Sequence, residues 1–247
     1  MLTHSAHSAH SGLSDRNAVF LEEMGVGPLW VRRTAAASVS PPEAADITAM
    51  DWMQLKEAVS GCVRCSLCRQ RTRTVFGVGG ENAKWLFIGE GPGSEEDARG
   101  EPFVGRAGKL LDNMLLAIGL KRSGTSGAND ANVYIANIVK CRATDANGKD
   151  RRPTADETDA CMPYLERQIA LIQPTVIVAL GKTAAQGLLK CDPETPVSAL
   201  RGSVHRYAGL PLIVTYHPAY LLRSPADKRK AWADLRLAMQ AYSSAGE

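Results

Sequence analysis

The stretch Trp85-Leu86-Phe87-Ile88-Gly89-Glu90-Gly91-Pro92-Gly93 decides the predicted fold. Its first four residues form a short apolar run that predicts a buried strand, and its glycines let backbone N–H groups come close to a ligand. Position 94 is Ser and the segment does not continue into Gly-Lys-Ser/Thr, so it is neither the dinucleotide fingerprint nor a nucleotide P-loop. Taken alone, the segment also fits an ordinary strand-to-helix turn whose acids favour a helix N-terminus.

Further apolar runs and amphipathic segments extend this pattern along the chain. Strands are predicted at 85–88, 133–136, 175–180 and 212–215, and helices at 51–60, 105–120, 154–172, 182–189 and 225–242. Thr154 and Glu157 form a capping-box pattern at the start of one helix. The alternation predicts an α/β fold with three α/β/α layers, in which helices cover both faces of a central, mostly parallel four-stranded sheet. Ligands of such sheets bind at the carboxyl ends of the strands.

Composition and charge exclude several classes of protein. The chain has 247 residues and a net charge of +3, so it is not a uniformly basic nucleic-acid binder. Its basic residues form three local groups, around Arg69, Arg151 and Arg229, which fit either solvated faces or a strip that holds phosphates. No apolar run reaches the roughly 18 residues of a membrane span, and the polar N-terminus contains no secretory signal. We therefore expect a cytoplasmic protein that does not associate with membranes.

The first fifty residues differ from the rest in composition. Residues 1–50 are rich in Ser, Ala and Pro and contain a His triplet, which predicts a largely flexible N-terminal extension. Within it, segment 20–33 is apolar enough to dock, either on the protein's own surface or on a protein partner. The globular domain is predicted to span residues 51–247.

Six cysteines suggest a metal site, because intracellular thiols remain reduced. Cys62-Val63-Arg64-Cys65 has the spacing of a nucleating pair, and Cys141 and Cys161 follow far along the chain. Four such cysteines can hold zinc or a four-iron cluster, and spacing alone does not decide between them. Cys68 extends the first run, but position 72 is Thr where a bacterial ferredoxin has its fourth cysteine. Cys191 and Cys68 also fit the pattern of inert buried thiols.

Polar residues follow three of the predicted strands at their carboxyl ends. Glu90 follows strand 85–88, Asn137 follows strand 133–136, and His217 comes shortly after strand 212–215. One such residue alone is more often structural. Three at the same edge of one sheet predict a common pocket.

The chain resembles the family-four uracil-DNA glycosylases from about Cys62 to Leu222. The motifs that carry the resemblance are Cys62-x-x-Cys65-x-Leu67, Gly89-Glu-Gly-Pro-Gly93, Gly100-Glu-Pro-Phe-Val-Gly-Arg-Ala-Gly108, Asn137-Ile-Val-Lys-Cys141, Cys161 and His217-Pro-Ala-Tyr-Leu-Leu222. The resemblance implies a uracil-DNA glycosylase-like fold and a monofunctional DNA-repair enzyme that hydrolyses the N-glycosidic bond of flipped-out deoxyuridine. It also implies that residues 51–247 are a glycosylase domain with a structural [4Fe-4S] cluster, which makes zinc the second choice.

The resemblance also implies roles for individual residues. The catalytic set is Asn137, His217 and Glu90, and the substrate-binding set is Gly91, Glu96, Phe103 and Asn137. The metal ligands are Cys62, Cys65, Cys141 and Cys161. On the DNA side, Leu221 or Leu222 is expected to enter the base stack, and Arg142 and Arg223 are expected to hold phosphates. The DNA is single- or double-stranded and the protein is expected to be a monomer.

Two departures from related glycosylases bear on the mechanism. A related group traps DNA covalently through a His in a basic insertion, but the comparable stretch, residues 148–153, contains no His. Gly91 stands where other glycosylase families carry an acid, so no side chain there activates water. Two alternatives stay open: a non-catalytic iron–sulfur or zinc module that binds DNA or a replication partner, and a glycosylase for another damaged base.

Overall fold

The computed structural model describes residues 23–24, 46–122 and 132–245. Apart from Glu23 and Met24, the predicted docking segment 20–33 lies outside these residues, and the assignment of residues 1–50 stays a prediction. In the described part of the chain, no helix is both long enough and apolar enough to cross a membrane.

Helices and strands alternate along the described chain. The α-helices are α1 (Trp52–Ser60), α2 (Ser94–Arg99), α3 (Arg106–Ala117), α4 (Ala155–Ile172), α5 (Lys182–Leu189), α6 (Val197–Leu200), α7 (Pro218–Arg223) and α8 (Lys228–Ser244). The strands are β1 (Val78–Gly79), β2 (Trp85–Gly89), β3 (Val133–Asn137), β4 (Val176–Leu180), β5 (Val204–Tyr207) and β6 (Leu210–Thr215). Short 3-10 helices lie at Ile47–Ala49, Ser66–Arg69 and Pro225–Asp227.

The strands form one mixed sheet in the order β1-β3-β2-β4-β6-β5. The four inner strands run parallel, and they are the four that the apolar runs predict. The prediction of a four-stranded sheet is corrected to six, because β1 and β5 add antiparallel edges. Strand β1 has only two residues, and β5 alternates between exposed and partly buried side chains, so neither produces a continuous apolar run.

Two apolar cores cover the two faces of this sheet. Leu86 and Ile88 of β2 point to one face, where they belong to a core that includes residues of α1, α4 and α5. Trp85 and Phe87 point to the other face, in a core with residues of α3 and α8. The alternation of side chains along a strand puts neighbours on opposite faces, so helices cover both sides and the three-layer prediction is confirmed.

The register brings the carboxyl ends of the parallel strands to one edge. Gly89 pairs with Asn137, and Leu180 pairs with Thr215. The segments that follow β2, β3, β4 and β6 therefore start along the same edge of the sheet. Helix α7, absent from the sequence prediction, begins at this edge with His217 as its N-cap.

Candidate active site

A pocket of about 220 Å³ opens at this edge of the sheet. It is lined by Glu90, Gly91, Pro92, Gly93, Glu96, Phe103, Ala107, Asn137, Val139, Ala143, Asp150, Arg151, Pro153, His217 and Ala219. All six residues that the motifs assign to catalysis or to uracil contact are among them. The predicted convergence of polar side chains from separate strand ends is therefore confirmed.

Asn137, at the end of β3, lies at the inner wall of the pocket. Its side-chain Oδ1 is buried and has no hydrogen-bond partner among the described residues. A Cβ on Gly89 would lie 2.5 Å from this Oδ1 and 2.6 Å from Cζ of Phe103, so only glycine leaves room for both groups. Buried polar atoms are rarely left unpaired in folded proteins. This oxygen is therefore positioned to accept a hydrogen bond from a ligand.

Lys140 supports Asn137 from inside the protein. Its side chain is 1% exposed, and its Nζ donates to the backbone oxygen of Asn137 at 2.9 Å and to Oε1 of Gln168 at 2.6 Å. Burial lowers the pKa of Lys140 to about 8, against an opposing effect of the nearby Cys161 thiolate. The sequence neighbours Arg142 and Lys149 suggest that Lys140 belongs to a DNA-facing basic group. The structure shows that it does not, because its side chain points into the protein.

His217 is held as a neutral imidazole at the pocket wall. Its Nδ1 accepts the backbone N–H of Ala219 at 3.1 Å, so the proton of the neutral ring resides on Nε2. Burial and, secondarily, the charge of Arg223 lower the pKa of His217 to about 4, although Glu96 acts in the opposite direction. Near neutral pH the ring is therefore an uncharged donor. The Phe103 ring lies beside it, with centroids 5.5 Å apart.

Phe103 is presented by a constrained loop. Its backbone has a φ of +54°, a conformation that L residues rarely adopt. The Glu96 carboxylate fastens this loop, because it accepts backbone N–H groups from Gly93 at 3.2 Å, Val104 at 2.9 Å and Gly105 at 3.0 Å. The motifs predict that Glu96 contacts uracil. In the structure both of its oxygens accept backbone N–H groups, which holds the Phe103 loop. Glu96 also lines the pocket, and its contact with uracil stays a prediction.

Two other carboxylates reach the pocket. Glu90 accepts a hydrogen bond from the hydroxyl of Thr183 at the start of α5. Asp150, which the sequence analysis did not single out, pairs with Nε of Arg142 at 2.6 Å. Arg142 thus lies at the pocket rim, where its charge is partly neutralised.

The predicted DNA-facing residues of α7 differ in exposure. Leu221 is 1% exposed, so it anchors α7 to the protein and is unavailable to enter a base stack. This corrects the prediction that either leucine can do so. Leu222 is partly exposed and Arg223 is exposed, so both remain accessible beside His217.

A second pocket gathers five of the six cysteines. Cys62, Cys65, Cys68, Cys141 and Cys161 all contribute to its lining, whereas Cys191 lines a separate groove between α4 and α5. Two N–H groups point at its sulfurs. A guanidinium N–H of Arg71 donates to Sγ of Cys141 and the backbone N–H of Lys140 donates to Sγ of Cys161, each at 3.3 Å.

The chemistry of these thiols fits a bound cationic group. Burial raises the pKa of Cys161 to about 11 and also raises the pKa of Cys65 and Cys141. Thiolates in such surroundings need compensating positive charge, and N–H···S contacts are the kind that tune thiolate-held iron. Within the described ranges, no three or more His, Cys, Asp or Glu side chains are grouped to hold a single ion.

Glu157 connects the cysteine pocket to the candidate active site. Its carboxylate accepts two hydrogen bonds from Arg151, both at 2.7 Å, and one from Ser66 at 3.0 Å. Arg151 lines the active-site pocket, Ser66 follows Cys65, and Glu157 precedes Cys161 by one helical turn. The Arg151 bonds lower the pKa of Glu157 to about 2. In the sequence Glu157 stands out only as a capping residue, a role that the structure confirms.

Comparison with known proteins identifies the family. The model of the uracil DNA glycosylase superfamily matches residues 76–236. A type-4 uracil-DNA glycosylase of Archaeoglobus fulgidus is 40% identical over 72% of this chain and 86% of its own length. The type-4 uracil-DNA glycosylase of Thermotoga maritima is 40% identical over 70% of this chain and 84% of its own length. A type-5 uracil-DNA glycosylase of Pyrobaculum aerophilum is 32% identical over 57% and 63%. The chain belongs to the uracil-DNA glycosylase superfamily and, within it, to the type-4 enzymes.

Proposed function

We propose that this chain is a DNA-repair uracil-DNA glycosylase that hydrolyses the N-glycosidic bond of deoxyuridine and leaves an abasic site. The observation that carries the proposal is the buried Oδ1 of Asn137, which has no partner within residues 46–122 and 132–245 and lies in a pocket that also holds Phe103 and His217. An amide offers one acceptor and two donors, which suits the edge of uracil with its N3–H donor and O4 acceptor.

Recognition requires the base to leave the DNA stack. In the pocket, the Phe103 ring provides a face for stacking on the extruded base. Cytosine presents an amino group where uracil presents O4, so the amide of Asn137 would face a like donor and remain unpaired. A buried polar group without a partner discriminates strongly between such bases.

The chemical step breaks the bond between C1′ and the uracil nitrogen. The bonding electrons pass to uracil, and its O2 gains negative charge that the neutral Nε2–H of His217 stabilises by donating a hydrogen bond. Removing one donor of this kind typically lowers the rate by about 10²–10³-fold. Water adds to C1′, and the proton that it loses passes through solvent to the departing uracil anion, so that the products are an abasic sugar and neutral uracil. Because Gly91 has no side chain, Glu90, held by Thr183, is the proposed residue that orients this water.

Around the pocket, Arg142 and Arg223 are proposed to bind phosphates, and Leu222 to occupy the space that the base vacates. The proposed substrate is uracil-containing single- or double-stranded DNA, on which a cytoplasmic monomer acts. Segment 20–33 of the N-terminal extension is proposed to dock, either on the protein's own surface or on a protein partner.

The cysteine pocket is proposed to hold a [4Fe-4S] cluster through Cys62, Cys65, Cys141 and Cys161. The Arg71 and Lys140 N–H contacts to sulfur support this choice, with zinc as the second candidate. The cluster's contribution would be structural, because its ligands join distant parts of the chain next to the pocket.

A substrate panel tests the proposed activity. Purified protein is incubated with oligonucleotides that carry uracil in a single strand or opposite A or G, and with matched thymine–guanine and hypoxanthine strands. Hot alkali then cuts any abasic sites. Cleavage at uracil alone supports the proposal. Cleavage at another base would reassign the substrate, and binding without cleavage would favour a non-catalytic DNA-binding module.

A further inference from the structure

The cysteine pocket contains one thiol more than a four-iron cluster needs. Five cysteines line it, and the type-4 motifs account for four of them. Cys68 is the fifth. We propose that Cys68 is an alternative ligand that replaces Cys65 when the Cys65 sulfur is lost. This inference rests on the cluster proposed above.

The local backbone places Cys65 and Cys68 on one short turn. Cys65 is the N-cap of the 3-10 helix Ser66–Arg69, and the N–H of Cys68 donates to the backbone oxygen of Cys65 at 3.3 Å. A hydrogen bond of this kind closes a four-residue turn, whose first and last residues lie close together. Cys65-x-x-Cys68 therefore repeats the chelating spacing of Cys62-x-x-Cys65, and both thiols line the same pocket wall.

The turn is anchored at both faces, which keeps Cys68 near the pocket. Leu67 is 2% exposed and packs in the core, while the Ser66 hydroxyl binds the Glu157 carboxylate at 3.0 Å. Cys65 and Cys68 are both partly exposed, in contrast to the buried Cys141 and Cys161. Because both thiols already line the pocket, the proposed exchange involves side-chain rotation of Cys68 and leaves the anchored turn and the buried ligands in place.

The exchange needs no redox partner. When the Cys65 sulfur is absent, the Cys68 thiol releases its proton to solvent and its thiolate forms the fourth sulfur–iron bond. No electrons are transferred, and the total number of protein ligands stays at four, as in ordinary cysteine-ligated clusters.

The test compares iron content and visible absorption in four proteins: wild type, C65S, C65S/C68S and C65S/C191S. Cys191 is partly exposed and lines a different groove, so its replacement is a matched control. We expect C65S and C65S/C191S to retain iron and inorganic sulfide, and C65S/C68S to lose both. Loss of iron from C65S, whether or not that variant folds, would overturn the proposal.

Alkylation of the purified proteins, followed by mass spectrometry, gives a second measurement. Cys68 is expected to react in the wild type and to be protected in iron-containing C65S; a reactive Cys68 in that variant would contradict ligand exchange. The wild type separates this proposal from the one on which it depends. Absence of iron from the wild type would reject the cluster itself, whereas iron in the wild type but not in C65S would reject only the role of Cys68.

Discussion

The neutral state of His217 predicts a specific loss of stability in acid. The ordinary pKa of histidine is about 6.5, and in the folded protein that of His217 is lowered to about 4. Between these values the unfolded chain binds a proton that the folded protein does not, so folding becomes less favourable as the pH falls. With these two pKa values, the free energy of unfolding is about 2 kcal/mol smaller at pH 5.0 than it would be without the shift, and almost unchanged at pH 7.5.

His217→Asn is the matched variant, because asparagine can still accept the Ala219 N–H as an N-cap but does not titrate. Melting temperatures of wild type and variant are compared at pH 7.5 and 5.0. The wild type should lose about 4–8 °C more than the variant over this interval, since each kcal/mol shifts a domain of this size by about 2–4 °C. Equal losses in the two proteins would refute the assignment of a neutral His217.

Three further changes test the structural account. Gly89→Ala puts a Cβ 2.5 Å from Oδ1 of Asn137. The single-turnover rate of uracil excision should therefore fall by at least about 10²-fold. An unchanged rate would contradict the tight packing around Gly89. Lys140→Met removes the ammonium that donates to the backbone oxygen of Asn137 and to Oε1 of Gln168. The variant should be less stable by about 1–3 kcal/mol in chemical unfolding. A variant as stable as the wild type would show that water replaces the ammonium. Glu157→Gln removes the carboxylate that accepts two hydrogen bonds from Arg151. Because the pKa of the carboxylate is lowered to about 2, the ion pair stabilises the folded protein above about pH 4.5 and this stabilisation is lost towards pH 2. The variant should therefore melt at a lower temperature than the wild type at pH 7, and the two melting temperatures should converge near pH 2.

The inner sheet and the location of the site could be predicted because their signals are local. Each parallel strand is buried on both faces and therefore appears as a continuous apolar run. The residues that follow these runs must meet at one edge, which brings Glu90, Asn137 and His217 together. The edge strands lack this signal: β1 is too short, and β5 is half exposed.

Burial of charged and apolar side chains at the site was not predictable from local pattern. Lys140 belongs in sequence to a basic group, yet the end of β3 turns its side chain inward to Gln168. Leu221 and Leu222 are equivalent in the motif, but helix α7 buries only the first. Glu96 has acidic neighbours, and its backbone partners Val104 and Gly105 depend on where the Phe103 loop returns. Such partners are set by tertiary folding rather than by neighbouring residues.

The most direct test of the central claim is the single-turnover rate of uracil release from a single-stranded oligonucleotide by wild type and by Asn137→Ala. The account predicts rapid release by the wild type and a fall of at least about 10²-fold in the variant, with DNA affinity nearly unchanged. A wild type that leaves uracil in place, or a variant that releases it at the normal rate, would contradict the claim that the Asn137 pocket recognises and excises uracil.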